Sequence, residues 1–393
     1  MALFKKNQRL RPREPELDNT GILDVPYLVL TVLLVLIGLL MMFSASYARA
    51  YYDTGNSAYY FKRQALFAAG GILVMLLVGR LNYFIWYRTS ILILGGSIVL
   101  LALVPLIGVT VNGAKRWIQI AGIQFQPSEI AKLGMILCFG QLMSAWQDKM
   151  DTFGYGVLPY VGIMGAIAGL LALERHLSAT LIIFMTGAIM MLLGGTSKRW
   201  LIGLAIVAVG LIAIYLLTRG YTGDRIKAWL HPEEFASDEG YQVIQSRYAI
   251  GSGGLTGLGF GKSRQKYLYL PEEHNDYIFA IVCEELGFIG ATLIVVLFAL
   301  LVLRGYWISM HAHDRFGALL SAGLTTLIGL QVLLNIGVVT NLLPSTGISL
   351  PFFSYGGTAL LVNLAEMGMI LSVSRQNTNR MVVKRRKKRR RAG

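Results

Sequence analysis

The sequence is short of charge and nearly free of cysteine. Of its 393 residues only 15% are Asp, Glu, Lys or Arg, while 55% are hydrophobic. That balance excludes an ordinary soluble globular domain and points to a chain that crosses a membrane many times. Cys138 and Cys283 lie far apart inside apolar runs and lack CxxC spacing, which excludes a disulfide framework and a cysteine zinc site. Acidic residues are scarce, 21 against 36 Lys and Arg, and the net charge of +15 raises nucleic acid as a partner. The placement of the charge argues otherwise. Lys5, Lys6, Arg9, Arg11 and Arg13 precede the first apolar run, and the run Lys384 to Arg391 follows the last. Such flanks are topogenic and, by the positive-inside rule, put both tails in the cytoplasm. The C-terminal run reads as a tail that touches anionic headgroups. No internal repeat of the kind that marks many secondary transporters is visible.

What is present is a succession of apolar runs. A span needs roughly 17 to 25 such residues, and runs of that kind lie near 27–47, 65–82, 89–108, 127–146, 156–174, 177–195, 200–217, 277–303, 316–340 and 352–374. The first follows basic residues, as a signal peptide would, but no small-residue cleavage site follows it, so it reads as a retained helix. The expected fold is all-α, an integral membrane bundle of about ten transmembrane helices with a large extracytoplasmic loop between helices 7 and 8. An even number of spans agrees with two cytoplasmic tails and puts the connections at Thr196 to Arg199 and Arg304 to Arg315 on the inside. The chain divides into a basic tail, 1–24, a membrane domain, 25–375, and a second basic tail, 376–393.

Two outer connections, 109–126 and 218–275, are too long and too polar for tight turns, and long loops are usually functional. Within the second, 232–239 is acidic and turn-like, 241–250 has the spacing of an amphipathic helix lying on the membrane, and 251–261 is glycine-rich. Gly261-Lys262-Ser263 could pass for the end of a phosphate-binding P-loop. That motif needs a glycine where Thr256 stands, a preceding strand, and ATP, which the outer side lacks, so nucleotide binding is excluded.

Ionisable groups inside a membrane are costly and point to function. Here they are Glu129, Lys132, Asp276, Glu284, Glu285 and Glu366. Pro127 suits the first helical position, Glu129 then falls in the first turn, and Lys132 follows on the same face. Just upstream, Lys115 and Arg116 run against the positive-inside bias beside Trp117, an ordinary interfacial residue; an anionic group such as a phosphate would explain them. The second constellation runs from Lys266 through Pro271, Glu272, Glu273, His274 and Asn275 to Asp276, directly before an apolar helix. An N-cap acid is the ordinary reading of Asp276. Glu284 and Glu285, about two turns deeper by the helical repeat, must pair or be protonated. Between Leu343 and Gly357, prolines and glycines imply a broken lead-in to the last helix, tolerated only where protein or a cavity covers it.

Four ordered motifs in these segments carry a family resemblance: NGAKRW with FQPSEIAK, YQVIQSRYAIGSGGLTGLGFGKSRQK, LPEEHNDYIFAIVCEELGFIG and LPSTGISLPFFSYGGTALL. They resemble the SEDS family (shape, elongation, division and sporulation), the FtsW, RodA and SpoVE group of bacterial cell-wall polymerases, over Tyr27 to Arg375. The resemblance implies a ten-helix bundle in the cytoplasmic membrane that polymerises lipid II, an undecaprenyl-diphosphate-linked disaccharide pentapeptide. It further implies a class B penicillin-binding protein and other division-complex membrane proteins as partners, and no nucleic acid. A divalent cation, Mg or Mn, is the one cofactor expected; no nucleotide or organic cofactor is. The family's essential aspartate corresponds to Asp276, with Asn275 where the family usually has Thr. Where the family often reads Pro-Asp-Leu-Gly-Thr, this chain reads Arg175-His176-Leu177-Ser178-Ala179-Thr180. This segment, Ser345-Thr346-Gly347 and the basic tail resemble FtsW-type members, which implies the division septum.

An α-linked donor and a β-1,4-linked product imply a single inverting displacement. Asp276 is the expected base, its basicity raised by a partly apolar boundary. Arg116, Lys132, Lys266 and Arg225 are expected to hold the diphosphate, Trp117 and Glu129 to share the substrate site, and His274, Glu285 and Ser354 to support it. The competing readings are a lipid II flippase, an elongation or sporulation polymerase, and a non-catalytic scaffold for a transpeptidase.

Overall fold

The structure, a computed structural model, describes residues 21–111, 114–120, 123–174, 176–207, 229–235 and 239–392. The first helix, α1 (Val25–Thr54), shows how sequence sets an element. Asp24 accepts the Tyr27 N–H at 3.0 Å, Pro26 occupies the first turn, and Gly55, in the left-handed region at φ 70°, closes the helix onto Tyr51. There follow α2 (Tyr59–Arg80), α3 (Phe84–Ile107), three short strands, α4 (Pro127–Ala145), α5 (Leu158–Leu173) and α6 (Leu177–Leu193). Residues 198–207 form α7, and the remainder of the run expected at 200–217 lies outside the described residues. After a 3-10 turn at Pro232–Phe235 come α8 (Glu239–Gly253), α9 (Ile278–Met310), α10 (Arg315–Val339) and α11 (Gly357–Ala392).

Among the described residues, seven helical stretches are long and apolar enough to cross a bilayer: α1, α2, α3, Phe153–Leu173, α9, α10 and the Gly357–Gln376 part of α11. The chain is a multi-pass membrane protein. Helix α10 is its axis, since 83% of its apolar window is buried against 28% for α2, α3 and α9. The outer helices turn Leu36, Leu40, Leu66, Leu73, Leu92 and Leu106 outward, as a lipid-facing surface requires.

The start of α1 and the end of the membrane part of α11 meet at one end of the bundle. There Arg304 of α9 holds the Asp24 carboxylate through two bonds of 3.0 and 2.8 Å, and the Asp24 N–H donates to Ser374 at 3.2 Å. The connections 109–126, 254–277 and 341–356 gather at the other end.

The all-α expectation needs one amendment. Residues within 109–126 form an antiparallel sheet of β1 (Val109–Val111), β2 (Ala114–Ile120) and β3 (Ile123–Phe125), in the order β1-β2-β3. Trp117 pairs with Val109 and Ile118 with Phe125. Val, Ile, Trp and Phe alternating with Thr, Lys, Arg and Gln is a strand pattern, here too short to stand out between two spans. Helix α8 covers the stretch 241–250 expected to be helical. It packs on α9 and α10: Ser246 donates to the Val339 carbonyl at 2.7 Å.

The glycine-rich segment is built into a break in α9. Gly287 sits at φ 67°, ψ −171°, outside helical space, so Glu284 and Glu285 lose the N–H groups of Phe288 and Ile289 as partners. The loop replaces them. Leu258 and Gly259 donate to the Glu284 and Glu285 carbonyls at 3.0 Å each, while Phe288 and Ile289 donate to Gly254 and Leu255 at 2.9 and 3.1 Å. The approach is so close that a Cβ on Gly287 would stand 2.2 Å from the Gly257 nitrogen, which only glycine permits.

Candidate active site

Asp276 lies in the turn just before α9, and that turn is tied down from three sides. Asn335 of α10 donates to the Asp276 carbonyl at 2.7 Å and to the Ile348 carbonyl at 2.6 Å. Ser354 donates to the Asn275 carbonyl at 2.8 Å and accepts from Leu350 N–H at 2.8 Å, and Tyr355 N–H reaches the His274 carbonyl at 2.8 Å. Gln64 of α2 closes the far side through the Ser354 carbonyl at 3.1 Å and the Gly356 N–H at 3.2 Å. The broken lead-in to α11 therefore has its backbone satisfied by protein, as an irregular segment at a bundle end must.

The Asp276 carboxylate opens on a cavity of about 660 Å³. Sheet residues Arg116 and Trp117, helix α4 residues Glu129 and Lys132, and the turn residues Glu272, His274 and Asn275 all line it. Glu129 and Lys132 pair at 2.8 Å, with the lysine buried. His274 stacks on Tyr60 at 5.0 Å between centroids. Gly347 faces Asp276 at φ 68°; a Cβ there would stand 3.2 Å from Oδ2.

The charges in this cavity are unequal in their surroundings. Burial pushes the Asp276 carboxyl up to about 7; the charge of Glu272 acts the same way, against Arg116 and His274. Glu174, outside the cavity lining and with both oxygens buried, is likewise raised by burial to about 7, against Arg116. His176 is pushed down to about 3 by burial, then by Arg116 and Lys132. A neutral imidazole beside two cations marks this wall as a place of positive potential. Arg116, on the same wall, is among the groups felt by both Asp276 and His176.

Three residues expected at the site stand elsewhere. Lys266 is buried, with its ammonium 3.0 Å from Glu285, 3.0 Å from Ser44 Oγ and 2.7 Å from the Gly261 carbonyl. It does not line the cavity, and its charge is committed to this ion pair, so the diphosphate-holding role expected of it is corrected to a structural one. Glu285 accepts from Ser44 at 2.7 Å, Gly261 N–H at 2.9 Å and Ser263 N–H at 3.2 Å. Ser354 holds the Asp276 turn and lies outside the cavity lining. Arg225 lies outside the described residues. Among the described residues no three His, Cys, Asp or Glu side chains converge as a metal-binding group.

The cavity also contains residues that the sequence does not mark as site residues. Tyr59, Tyr60, Arg63, Tyr355, His176 and Gln331 line it. Arg63 donates to the Tyr59 hydroxyl at 3.1 Å. It belongs to α2, which begins at Tyr59, six residues before the apolar run at 65–82, so its charge lies outside the span that hydropathy alone marks.

The family model described as "Cell cycle protein", FtsW/RodA/SpoVE, matches residues 25–379. "Probable peptidoglycan glycosyltransferase FtsW" of Geobacter sp. (strain M18) is 37% identical over 89% of this chain and 96% of its own. "Stage V sporulation protein E" of Bacillus subtilis (strain 168) is 38% identical over 90% and 97%. Among solved structures, a chain from "Structural coordination of polymerization and crosslinking by a peptidoglycan synthase complex" superposes with TM-score 0.77 at 26% identity, covering 90% of this chain and 98% of that one. The Thermus thermophilus rod shape determining protein RodA gives 0.68 at 27% identity, covering 91% and 98%. On the match of residues 25–379 and these full-length relatives, the chain belongs to the FtsW/RodA/SpoVE family of cell cycle proteins.

Proposed function

We propose that this protein is a peptidoglycan glycosyltransferase that polymerises lipid II into β-1,4-linked glycan strands and releases undecaprenyl diphosphate, in septal wall synthesis at cell division. The observation that carries the reading is one cavity that joins a carboxyl of raised proton affinity, Asp276, to the cations Arg116 and Lys132. The FtsW naming of the relatives supports the septal role, and the synthase-complex neighbour supports a transpeptidase of the class B penicillin-binding type as partner. Ten spans, both tails in the cytoplasm and the Asp276 end outward satisfy the positive-inside rule. In that orientation the cavity faces the side where wall is built.

The acceptor sugar's 4-hydroxyl oxygen attacks C1 of the donor sugar from the face opposite the diphosphate. A C–O bond forms there as the C1–O bond to diphosphate breaks, which inverts the anomeric centre. Asp276 takes the hydroxyl proton; a carboxyl titrating near 7 is both ionised and basic enough at working pH. Arg116 and Lys132 stabilise the charge that gathers on the leaving diphosphate, within a cavity of reduced dielectric. Trp117 and Glu129 complete that wall. Asn335, Ser354 and the re-entrant segment hold the turn, so the base needs no reorientation.

The test is polymerisation of purified lipid II in detergent by wild type, Asp276→Asn and Asp276→Ala. Loss of polymer with the fold intact is expected. A folded Asp276→Ala protein that still makes glycan would sink the assignment, and movement of labelled lipid II across proteoliposomes without polymer would favour a flippase.

A further inference from the structure

Glu272 is used by nothing above except as a neighbouring charge, yet it has three features that ordinary loop acids lack. Its backbone sits at φ 56°, in the left-handed region, a strained conformation for a non-glycine residue outside the Asn and Asp types. Its carbonyl accepts two backbone donors, Asn275 N–H at 3.0 Å and Tyr277 N–H at 3.3 Å. Those two amides flank Asp276, so the turn that presents Asp276 is closed by the Glu272 carbonyl. Third, its side chain stays at the site: the Asn275 amide donates to Glu272 Oε2, and Glu272 lines the same cavity as Asp276. Strain of this kind persists where the surroundings over-determine it, and it concentrates at functional sites.

We propose that Glu272 is a positioning residue for Asp276, closing the turn that aims the Asp276 carboxylate and holding a second negative charge beside it. The inference rests on the reading of Asp276 as the base. Two carboxylates near one another resist joint ionisation, which raises the proton affinity of the one that opens on the acceptor. The direction of the Asp276 shift agrees: after burial, Glu272 is the largest influence raising it. The charged groups facing Asp276 are Glu272 and His274 on its own turn and Arg116 on β2. Arg63 on α2, Glu129 and Lys132 on α4, and His176 ahead of α6 line the rest of the cavity. The cations favour an ionised, weakly basic Asp276, and Glu272 is the neighbour that counters them. This arrangement differs from a plain N-cap acid, whose charge would be stabilised by the helix terminus and whose basicity would fall.

The experiment is the pH dependence of kcat and KM for lipid II polymerisation by the purified full-length protein, for wild type, Glu272→Gln, Glu272→Asn and Glu272→Asp. Glu272→Gln keeps an acceptor for Asn275 and removes the charge. Glu272→Asn removes the charge while suiting the left-handed backbone, so at least one neutral variant is expected to fold. In both, the acid limb of the kcat profile moves down by roughly one pH unit and the plateau falls several-fold, with KM little changed. Glu272→Asp restores the wild-type limb. An unmoved limb in a folded neutral variant, or a rise in KM alone, overturns the proposal. If Asp276→Asn retains polymerisation, the reading of the base fails; if it is inactive while the limb stays unmoved in the Glu272 variants, this inference alone fails.

Discussion

Two pairs of acids separated by about two helical turns have opposite surroundings. Asp276 and Glu272 face a cavity, and among the described residues no hydrogen-bond donor is seated on the Asp276 carboxylate. Glu284 and Glu285 are saturated. Glu284 accepts from Arg264 N–H at 2.9 Å, Gln265 N–H at 3.3 Å and the Ser263 hydroxyl, and Glu285 accepts from Gly261, Ser263, Ser44 and Lys266. A carboxylate with donors seated on both oxygens is architecture: it holds the loop that crosses the break in α9. One left facing a cavity beside a second negative charge is chemistry. An acid within a membrane protein is thus classified by its donors and not by its depth.

The widest separation between the two pairs is expected in rate. Asp276→Asn should lower polymerisation by about 10²- to 10⁴-fold without a change in thermal stability. The wild-type rate should rise with pH through about 7, because only the ionised carboxylate accepts a proton; a flat profile between pH 5 and 9 would break the comparison on the chemical side. Glu284→Ala should do the reverse, lowering stability by about 3 kcal/mol through the donors it strands at Ser263, Arg264 and Gln265. Thermal unfolding in detergent measures this, and an unaltered midpoint would remove the architectural half of the account.

Arg116→Ala and Lys132→Met should each cost about ten- to a hundred-fold in kcat/KM, the worth of a hydrogen bond to a charged group, with the loss growing as the diphosphate leaves. Gly347→Ala should have the smallest effect. A methyl there is strained at φ 68° and stands 3.2 Å from Asp276 Oδ2, so a several-fold fall in kcat with unchanged expression is expected.

Much of this was legible in the sequence because membranes impose simple rules. Apolar run lengths mark the spans, and Pro127 marks a helix start. Asp276, Arg116, Lys132 and Glu129 were singled out by charge in the wrong place, and the structure brings all four to one cavity. What sequence could not supply was partnership. Lys266 looks like a phosphate ligand until Glu285 is seen 3.0 Å away, a contact between residues on opposite sides of a turn. Glu272 looks like any loop acid until its φ of 56° is known, and residue type alone does not encode a strained backbone. The sheet escaped because strands of 3 and 7 residues give too few repeats for alternation to register. Arg63 was lost to a span boundary, the least certain feature of any such reading.

The most direct test of the contrast between the two pairs is the initial rate of glycan synthesis from purified lipid II, normalised to folded protein, for Asp276→Asn and Glu284→Gln side by side. The account predicts that folded Asp276→Asn polymerises about 10²- to 10⁴-fold more slowly than wild type, whereas the Glu284→Gln molecules that remain folded polymerise near the wild-type rate. Wild-type polymerisation by Asp276→Asn, or loss of activity in fully folded Glu284→Gln equal to that of Asp276→Asn, would contradict it.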